Sequence, residues 1–382
     1  MTPKLTRSRL SIREFFAPLK HLDIGIMVLM GLLLVLGGFF MYGAGQQLGG
    51  VYAGYWLRHI LWIAVGMFGF LFFLLIDYRL LGKWSWLFYV GGLLLLAVVL
   101  FAGIEINYAR RWLALGGFTI QPSEFAKPVT LLFVCWLASR RGFRINRLPD
   151  LIFLGLITSL PILLIIRQPD HGTALVFVIL ALAVAFSAGL SWRFILAGCL
   201  IVALALPVAY KFAMAPYQRA RIRTFLTPAE NVGAEGWNAH QSILAVGSGG
   251  MYGKGFREGT QHVMGYLPRT VAPTDFIFSV IAEELGFIGA GAIICAFLGL
   301  LLCCLRIAAG APDRFGTFLC IAVATLLFVH VYVNIGMTIG ASPIIGMPLP
   351  FISYGGSFMV SVMAAMGMVE NVHARSKMEE IN

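Results

Sequence analysis

Charge is scarce in this chain. Only 12% of its 382 residues are Asp, Glu, Lys or Arg, against roughly 25% in a soluble globular protein, which excludes a soluble fold. Acidic residues are the scarcer sign, 17 against 28 Lys and Arg, for a net charge of +11. That excess does not make a nucleic-acid binder, because no helix-turn-helix pattern and no interleaving of basic with aromatic residues accompanies it. Long polar stretches are missing too: outside residues 211–274 no segment is long enough to fold as a separate soluble domain. Cysteine is sparse and confined. Cys135, Cys199, Cys295, Cys303, Cys304 and Cys320 all lie in apolar runs, so neither a disulfide framework nor a metal-ligand spacing is present. Cys303 and Cys304 read as packing residues, not as a redox pair. The glycine-rich stretch GSGGMYGKG at 247–255 lacks the Gly-Lys-Ser/Thr ending of a nucleotide loop. It reads as a compact loop, with direct phosphate cradling as the weaker alternative.

What fills the chain is apolar: 59% of it is hydrophobic, in repeated runs of about 20 residues that match a bilayer core ~30 Å thick. The class is an all-α polytopic membrane protein. Ten transmembrane helices are expected, at roughly 24–42, 56–76, 84–103, 122–139, 150–167, 172–189, 192–210, 275–305, 315–340 and 350–371, with a long extracytoplasmic loop at 211–274 between the seventh and eighth. Residues 1–382 read as one integral membrane domain, with a cytoplasmic N-terminus over 1–23 and a cytoplasmic tail over 372–382. The first run, from Ile24 to Met41, exceeds the ~7–15 apolar residues of a secretory signal and reads as an uncleaved span. Orientation follows Lys and Arg in the short loops. The N-terminus, 77–83, 139–149, 190–193, 306–314 and the tail hold 16 of the 28, and the opposing short loops 43–55 and 341–349 hold none. Both termini are therefore expected in the cytoplasm.

Against that background, ionisable groups in or beside apolar runs stand out, because placing them there is costly. Arg110, Arg111 and Trp112 lie in the outward loop 104–121, on the side poor in positive charge. Guanidinium groups bind phosphate or carboxylate in a fork; Trp112 is equally suited to be an interfacial aromatic. The fourth span opens QPSEFAKP at 121–128. Pro122 suits the first helical position. Glu124 and Lys127 share a face and can pair, either to fix helix packing or to line a polar cavity. Pro128 implies a kink. The turn RQPDHGT at 167–173 sets Asp170 at the membrane surface, as a helix cap or as a site residue; His171 reads as a bystander. In the long loop, Arg219, Arg221 and Arg223 alternate. They share one face if the segment is extended and spread around the axis if it is helical, in a basic stretch suited to the outer lipid surface. Thr274 is a candidate N-cap with Asp275 in the first turn; Glu283 and Glu284 read as packing or anchoring residues. Residues 342–357 hold three prolines and three glycines. They form a rigid re-entrant turn over a cavity, since non-helical backbone at membrane depth needs such cover.

QPSEFAK at 121–127, QPDHGTA at 168–174, GSGGMYGKG at 247–255, TDFIFSVIAEELGFIG at 274–289 and GMPLPFISYGGS at 346–357 together resemble the SEDS family (shape, elongation, division and sporulation), which includes RodA and FtsW. The resemblance covers nearly the whole chain, and the short N-terminus with LKHLDIGIM at 19–27 looks like the RodA branch. It departs at Arg269–Pro273, where the family has a shorter link containing Glu and His. The resemblance implies a peptidoglycan glycosyltransferase acting in cell elongation and rod shape. Such an enzyme polymerises lipid II at the outer face of the bacterial cytoplasmic (inner) membrane. Its implied partners are a class B penicillin-binding protein, the crosslinking transpeptidase, and other elongation-complex proteins. Asp275 matches the family's essential aspartate, and Glu124, Lys127 and Asp170 match polar positions lining the same cavity. Ser353 joins them as a substrate-binding residue.

The implied reaction joins a sugar hydroxyl to an anomeric carbon with inversion and expels a lipid diphosphate. Asp275 is expected to be the general base, within about 3 Å of the proton it takes. Arg110, Arg111 and Lys127 are candidates for stabilising the diphosphate. A divalent cation, Mg2+ or Mn2+, held by Asp170 or Glu124, is a further possibility. A flippase or ion-coupled transporter is the rival class, since buried charge on broken helices also describes a carrier; the absence of an internal repeat counts against it. A scaffold that only recruits partners leaves the outward carboxylates and arginines without a role.

Overall fold

A computed structural model describes residues 15–106, 109–214, 216–226, 234–261, 263–267 and 271–381. The N-terminal basic residues Lys4, Arg7, Arg9 and Arg13, and Arg269 and Thr270 of the link before Thr274, lie outside the described residues. Twelve α-helices are present among those described. They are α1 (Ile24–Leu48), α2 (Tyr55–Leu75), α3 (Tyr78–Ala102), α4 (Pro122–Ser139), α5 (Leu148–Arg167), α6 (His171–Ser187), α7 (Trp192–Val208), α8 (Pro216–Leu226), α9 (Ala234–Ser248), α10 (Ile277–Ala309), α11 (Arg314–Thr338) and α12 (Gly356–Ile381). Seven of them are long and apolar enough to cross a bilayer: α1, α2, α3, α5, α7, α10 and α11. The three other long helices fall short for local reasons. Helix α4 carries Ser123, Glu124 and Lys127 in its first two turns. Helix α6 has only 17 residues, and α12 carries Glu370, Asn371 and His373 past its midpoint before the charged last turns. The expected span 350–371 is displaced accordingly: residues 350–355 are non-helical, and the helix runs from 356 through the expected tail to 381.

Aspartates start four of the long helices. Asp23, Asp77, Asp170 and Asp313 each accept a backbone N–H of the first turn, on α1, α3, α6 and α11, where the exposed amides and the helix dipole favour an anion. The core is built on α11 and on α12 as far as Ala374, almost every turn of which is buried. Helix α12 lies against α2, and a Cβ on Gly367 would meet the Phe70 carbonyl. Asn371 clamps the α2–α3 corner: its amide donates to the carbonyls of Phe73, Leu74 and Ile76, and its oxygen accepts from Tyr78 N. Among its described residues, helix α7 has none buried in its apolar window, as a helix facing lipid would.

The all-α expectation needs one correction. Residues 104–106 and 109–120 form a small antiparallel sheet, β1 (Ile104–Ile106), β2 (Ala109–Leu115) and β3 (Phe118–Ile120), in the order β1-β2-β3. Gly116 and Gly117, both at positive φ, supply the two-residue turn that suits a hairpin. The long loop also has structure of its own. Its first arginines fall on helix α8 and so spread around its axis, with Arg219 donating to Met214 O.

The glycine-rich stretch is explained by packing. Helix α10 breaks at Gly286, whose φ of 67° and ψ of −167° are non-helical. Loop residues 250–255 satisfy the backbone groups freed there. Lys254 N and Gly255 N donate to the carbonyls of Glu283 and Glu284, and Phe287 N and Ile288 N donate to those of Gly250 and Met251. The approach is so close that a Cβ on Gly286 would collide with Gly253 N. Glu283 anchors the next turn, accepting from Lys254 Nζ at 2.6 Å and Thr260 N at 2.8 Å. This is a compact docked loop, not a phosphate cradle.

Candidate active site

A cavity of about 260 Å³ lies where the first turns of α4 and α6 meet β2, Thr274–Asp275 and residues 345–358. Asp275, Asp170, Glu124, Arg111 and Trp112 all line it, with His330 of α11. Asp275 is half-buried. The backbone of Gly346 lies against its carboxylate, close enough that a Cβ there would be 3.2 Å from Oδ2. Two segments far apart in sequence frame this corner, and α11 stitches them together. Asn334 Nδ2 donates to the carbonyl of Asp275 at 2.9 Å and to that of Met347 at 2.6 Å. His330 Nδ1 is 3.2 Å from Pro348 O, and Tyr354 N donates to Pro273 O at 3.0 Å.

The two arginines of β2 part company. In the register of β1 with β2, Trp112 opposes Ile104 and Arg110 opposes Glu105. Arg111 is therefore the extra residue of a β-bulge, a device that re-aims a side chain. It turns into the cavity and pairs with Asp170 at 3.6 Å. Arg110 stays outside, exposed and paired with Glu105 at 3.4 Å. Asp170 does two things at once. Oδ1 caps α6 through Thr173 N at 3.1 Å, and Oδ2 accepts from Gln121 Nε2 at 3.0 Å while facing Arg111. Cap and cavity wall are one residue.

Lys127 sits one layer below the cavity, only 1% exposed. Its ammonium lies 2.8 Å from Glu124 Oε2, 3.2 Å from His330 Nε2 and 5.3 Å from the centre of the Phe358 ring. The contact with Glu124 is an ion pair, not a well-aligned hydrogen bond, since Oε2 has no hydrogen-bond partner. Lys127 thus neutralises the cavity floor from beneath and does not line the wall. Ser353 is buried at 1%. It accepts from Leu349 N at 2.7 Å and donates to Thr274 O at 2.6 Å, so it fastens the re-entrant turn to the Asp275 segment and does not face the cavity.

The donor set does not fit a preformed divalent-cation site. Asp170 and Glu124 are the cavity carboxylates proposed for it, and each already faces a cation, Arg111 or Lys127. Among the described residues no three His, Cys, Asp or Glu side chains gather as metal ligands. A cation such as Mg2+ takes most of its six oxygens from water and substrate phosphates, so what the side chains lack here is a cage formed in advance of substrate.

Sequence reasoning missed Gln121, His330, Asn334 and Ser357. The signal for two of them was there. His330, Asn334 and Thr338 recur every four residues along α11 and are buried at 2%, 0% and 0%, a polar stripe on one face of an apolar helix. Ser357 had no such signal; it accepts from Gln121 N, 236 residues away.

Fold and site together define a polytopic helical membrane protein with a charged cavity among its helix ends. The family model described as "Cell cycle protein", of FtsW, RodA and SpoVE, matches residues 21–378, and the chain belongs to that family. It is 37% identical over 359 residues to the peptidoglycan glycosyltransferase MrdB of Escherichia coli, covering 94% of this chain and 95% of that one. It is 38% identical over 326 residues to a probable peptidoglycan glycosyltransferase FtsW of Trichlorobacter lovleyi, covering 84% of each. Among solved structures it is similar to a chain of a peptidoglycan synthase complex that coordinates polymerization and crosslinking, with a TM-score of 0.79 and 30% identity over 93% of this chain and 98% of that one. It is also similar to the rod shape determining protein RodA of Thermus thermophilus, with a TM-score of 0.69 and 29% identity over 92% and 96%.

Proposed function

We propose that this protein is a peptidoglycan glycosyltransferase that polymerises lipid II into glycan strands, in the RodA-like branch that serves cell elongation. The observation that carries the reading is the gathering of Asp275, Asp170, Glu124 and Arg111 around one cavity in a chain of this family. In the proposed orientation ten helices cross the bacterial inner membrane. Both termini lie in the cytoplasm, and the segment 211–274 faces outward with the cavity. A class B penicillin-binding protein is the proposed partner, in line with the synthase complex this chain resembles.

The proposed chemistry draws on the groups around the cavity. The acceptor hydroxyl attacks the anomeric carbon of the donor, and the bond from that carbon to the diphosphate oxygen breaks with inversion. Asp275 takes the hydroxyl proton, a role that needs hydrogen-bond reach to the acceptor. Gly346, having no side chain, leaves its carboxylate accessible. Arg111 is the cation on the cavity wall and is assigned to the departing diphosphate, which a guanidinium fork matches. Glu124 and Lys127 hold the floor, and Asp170 sets Arg111. Trp112 offers an apolar face for a sugar ring. Arg110 and Ser353 act at a distance, through the sheet and the turn.

The deciding experiment mixes purified protein with lipid II in detergent, where no membrane remains to be crossed. Glycan polymer from the wild type and none from Asp275→Asn supports the reading. A protein that moves lipid II across vesicles but makes no polymer belongs to the transporter class instead.

A further inference from the structure

A second site lies at the other end of the bundle. Helix α4 runs from Gln121 at the cavity to Ser139 and Arg140, 18 residues or about 27 Å away. There a groove of about 920 Å³ opens between the start of α3, the α4–α5 turn and the start of α11. Arg79, Lys83, Arg140, Arg141, Arg144 and Arg314 line it, with Asp313 as its one acidic residue. Asp313 is already engaged by Arg79 at 2.9 Å. Among the described residues, none of the other five cations has a carboxylate within ion-pair distance. Such a concentration of like charge in a walled groove calls for an anionic ligand.

We propose that this groove binds the phosphodiester headgroup of an anionic bilayer lipid, of the phosphatidylglycerol or cardiolipin class. Three observations favour a lipid over a soluble anion. The groove sits at the ends of membrane-spanning helices, where basic pockets meet lipid headgroups. Its walls are aromatic as well as basic: Trp136 and Phe315 line it, and the Arg140 guanidinium stacks 4.7 Å from the Trp136 ring. An exposed apolar stripe leads away from it along α3, through Leu80, Trp84, Leu87, Leu94 and Val98, each 47–62% exposed. Their spacing of three, four and seven places them on one face, a track for acyl chains. Trp84 marks the interfacial level, where tryptophan concentrates. The headgroup takes the groove and the tails take the stripe.

The test uses full-length protein in nanodiscs of phosphatidylcholine, titrated with phosphatidylglycerol and read by native mass spectrometry and thermal unfolding. The wild type retains bound phosphatidylglycerol and melts higher with it. K83Q/R140Q/R314Q, which keeps Arg141, Arg144 and Arg147 to hold orientation, loses at least tenfold in affinity. The control K20Q/R193Q/K377Q, with the same charge change outside the groove, binds as the wild type does. Equal loss in the control overturns the proposal, because charge alone then explains retention. Displacement by 10 mM inorganic phosphate overturns the lipid assignment in favour of a soluble phosphate. Equal affinity of the wild type for both lipids also overturns it and leaves the groove to an acidic protein segment. Should the triple variant fail to fold, Lys83→Gln and Arg314→Gln singly are each expected to weaken binding at least threefold; wild-type affinity in both refutes the site.

Discussion

Asp275 and Lys127 show how different two charged groups near one cavity can be. Asp275 is half-buried and held through its backbone, so Asp275→Asn should fold normally while losing on the order of 100-fold or more in polymerisation, the usual size of a lost general base. Activity and a thermal melt on the same preparation check both halves. Lys127 is fully enclosed beside Glu124. Lys127→Met strands a buried carboxylate and is expected to cost about 3–5 kcal/mol, whereas Glu124→Gln with Lys127→Met removes both charges and recovers most of the stability. Melting the single and double variants in detergent decides whether the pair is a charge lock. Asn334 belongs at this scale too. Asn334→Ala frees the carbonyls of Asp275 and Met347 and should cost about 1–3 kcal/mol. If it positions the base, kcat falls with KM little changed; a uniform loss of folded protein with normal specific activity would assign it to packing alone.

At the scale of elements, the break in α10 and the start of α11 make separate demands on the sequence. Gly286 adopts a φ that L side chains avoid, and its Cα abuts the loop that docks there. Gly286→Ala therefore combines backbone strain of about 1–3 kcal/mol with a steric collision. It should expose the 249–261 loop to protease before the rest of the protein unfolds, which limited proteolysis reads directly. The start of α11 depends on Asp313. Burial pushes its carboxyl up, but Gly316 N–H, the Tyr78 hydroxyl and the Arg79 guanidinium outweigh burial and hold it below the usual carboxylate range. A lowered folded-state pKa means that the stabilisation is complete above the unfolded value of about 4 and is lost as pH falls through the folded value. Asp313→Asn should thus lower the melting temperature near neutral pH and leave a flatter acid limb below about pH 4.

Across the whole molecule, what could be read in the sequence was what local pattern controls. The apolar run at 122–139 coincides with α4, and the run expected at 275–305 overlaps α10 at Ile277–Ala309. The break at Gly286 did not announce itself, since the residues that demand it lie in another segment. Neither did the bulge that separates Arg111 from Arg110, which depends on strand pairing. The cavity is a long-range product in the same sense: Asn334 reaches Asp275 across 59 positions and Ser361 reaches Glu124 across 237. One global property remains a matter of charge counting, the direction in which the cavity faces, and the bundle makes it testable with two labels. Glu258 lies in the loop docked at the Asp275 end of α10, and Arg144 lies in the groove at the far end of α4. In the proposed topology α4 crosses the bilayer, and these two ends face opposite sides of the membrane. In a cysteine-free background, Glu258→Cys should react with an impermeant maleimide in intact spheroplasts and Arg144→Cys only after permeabilisation. The reverse pattern would turn the cavity toward the cytoplasm, away from growing glycan, and the polymerase reading would fall with it.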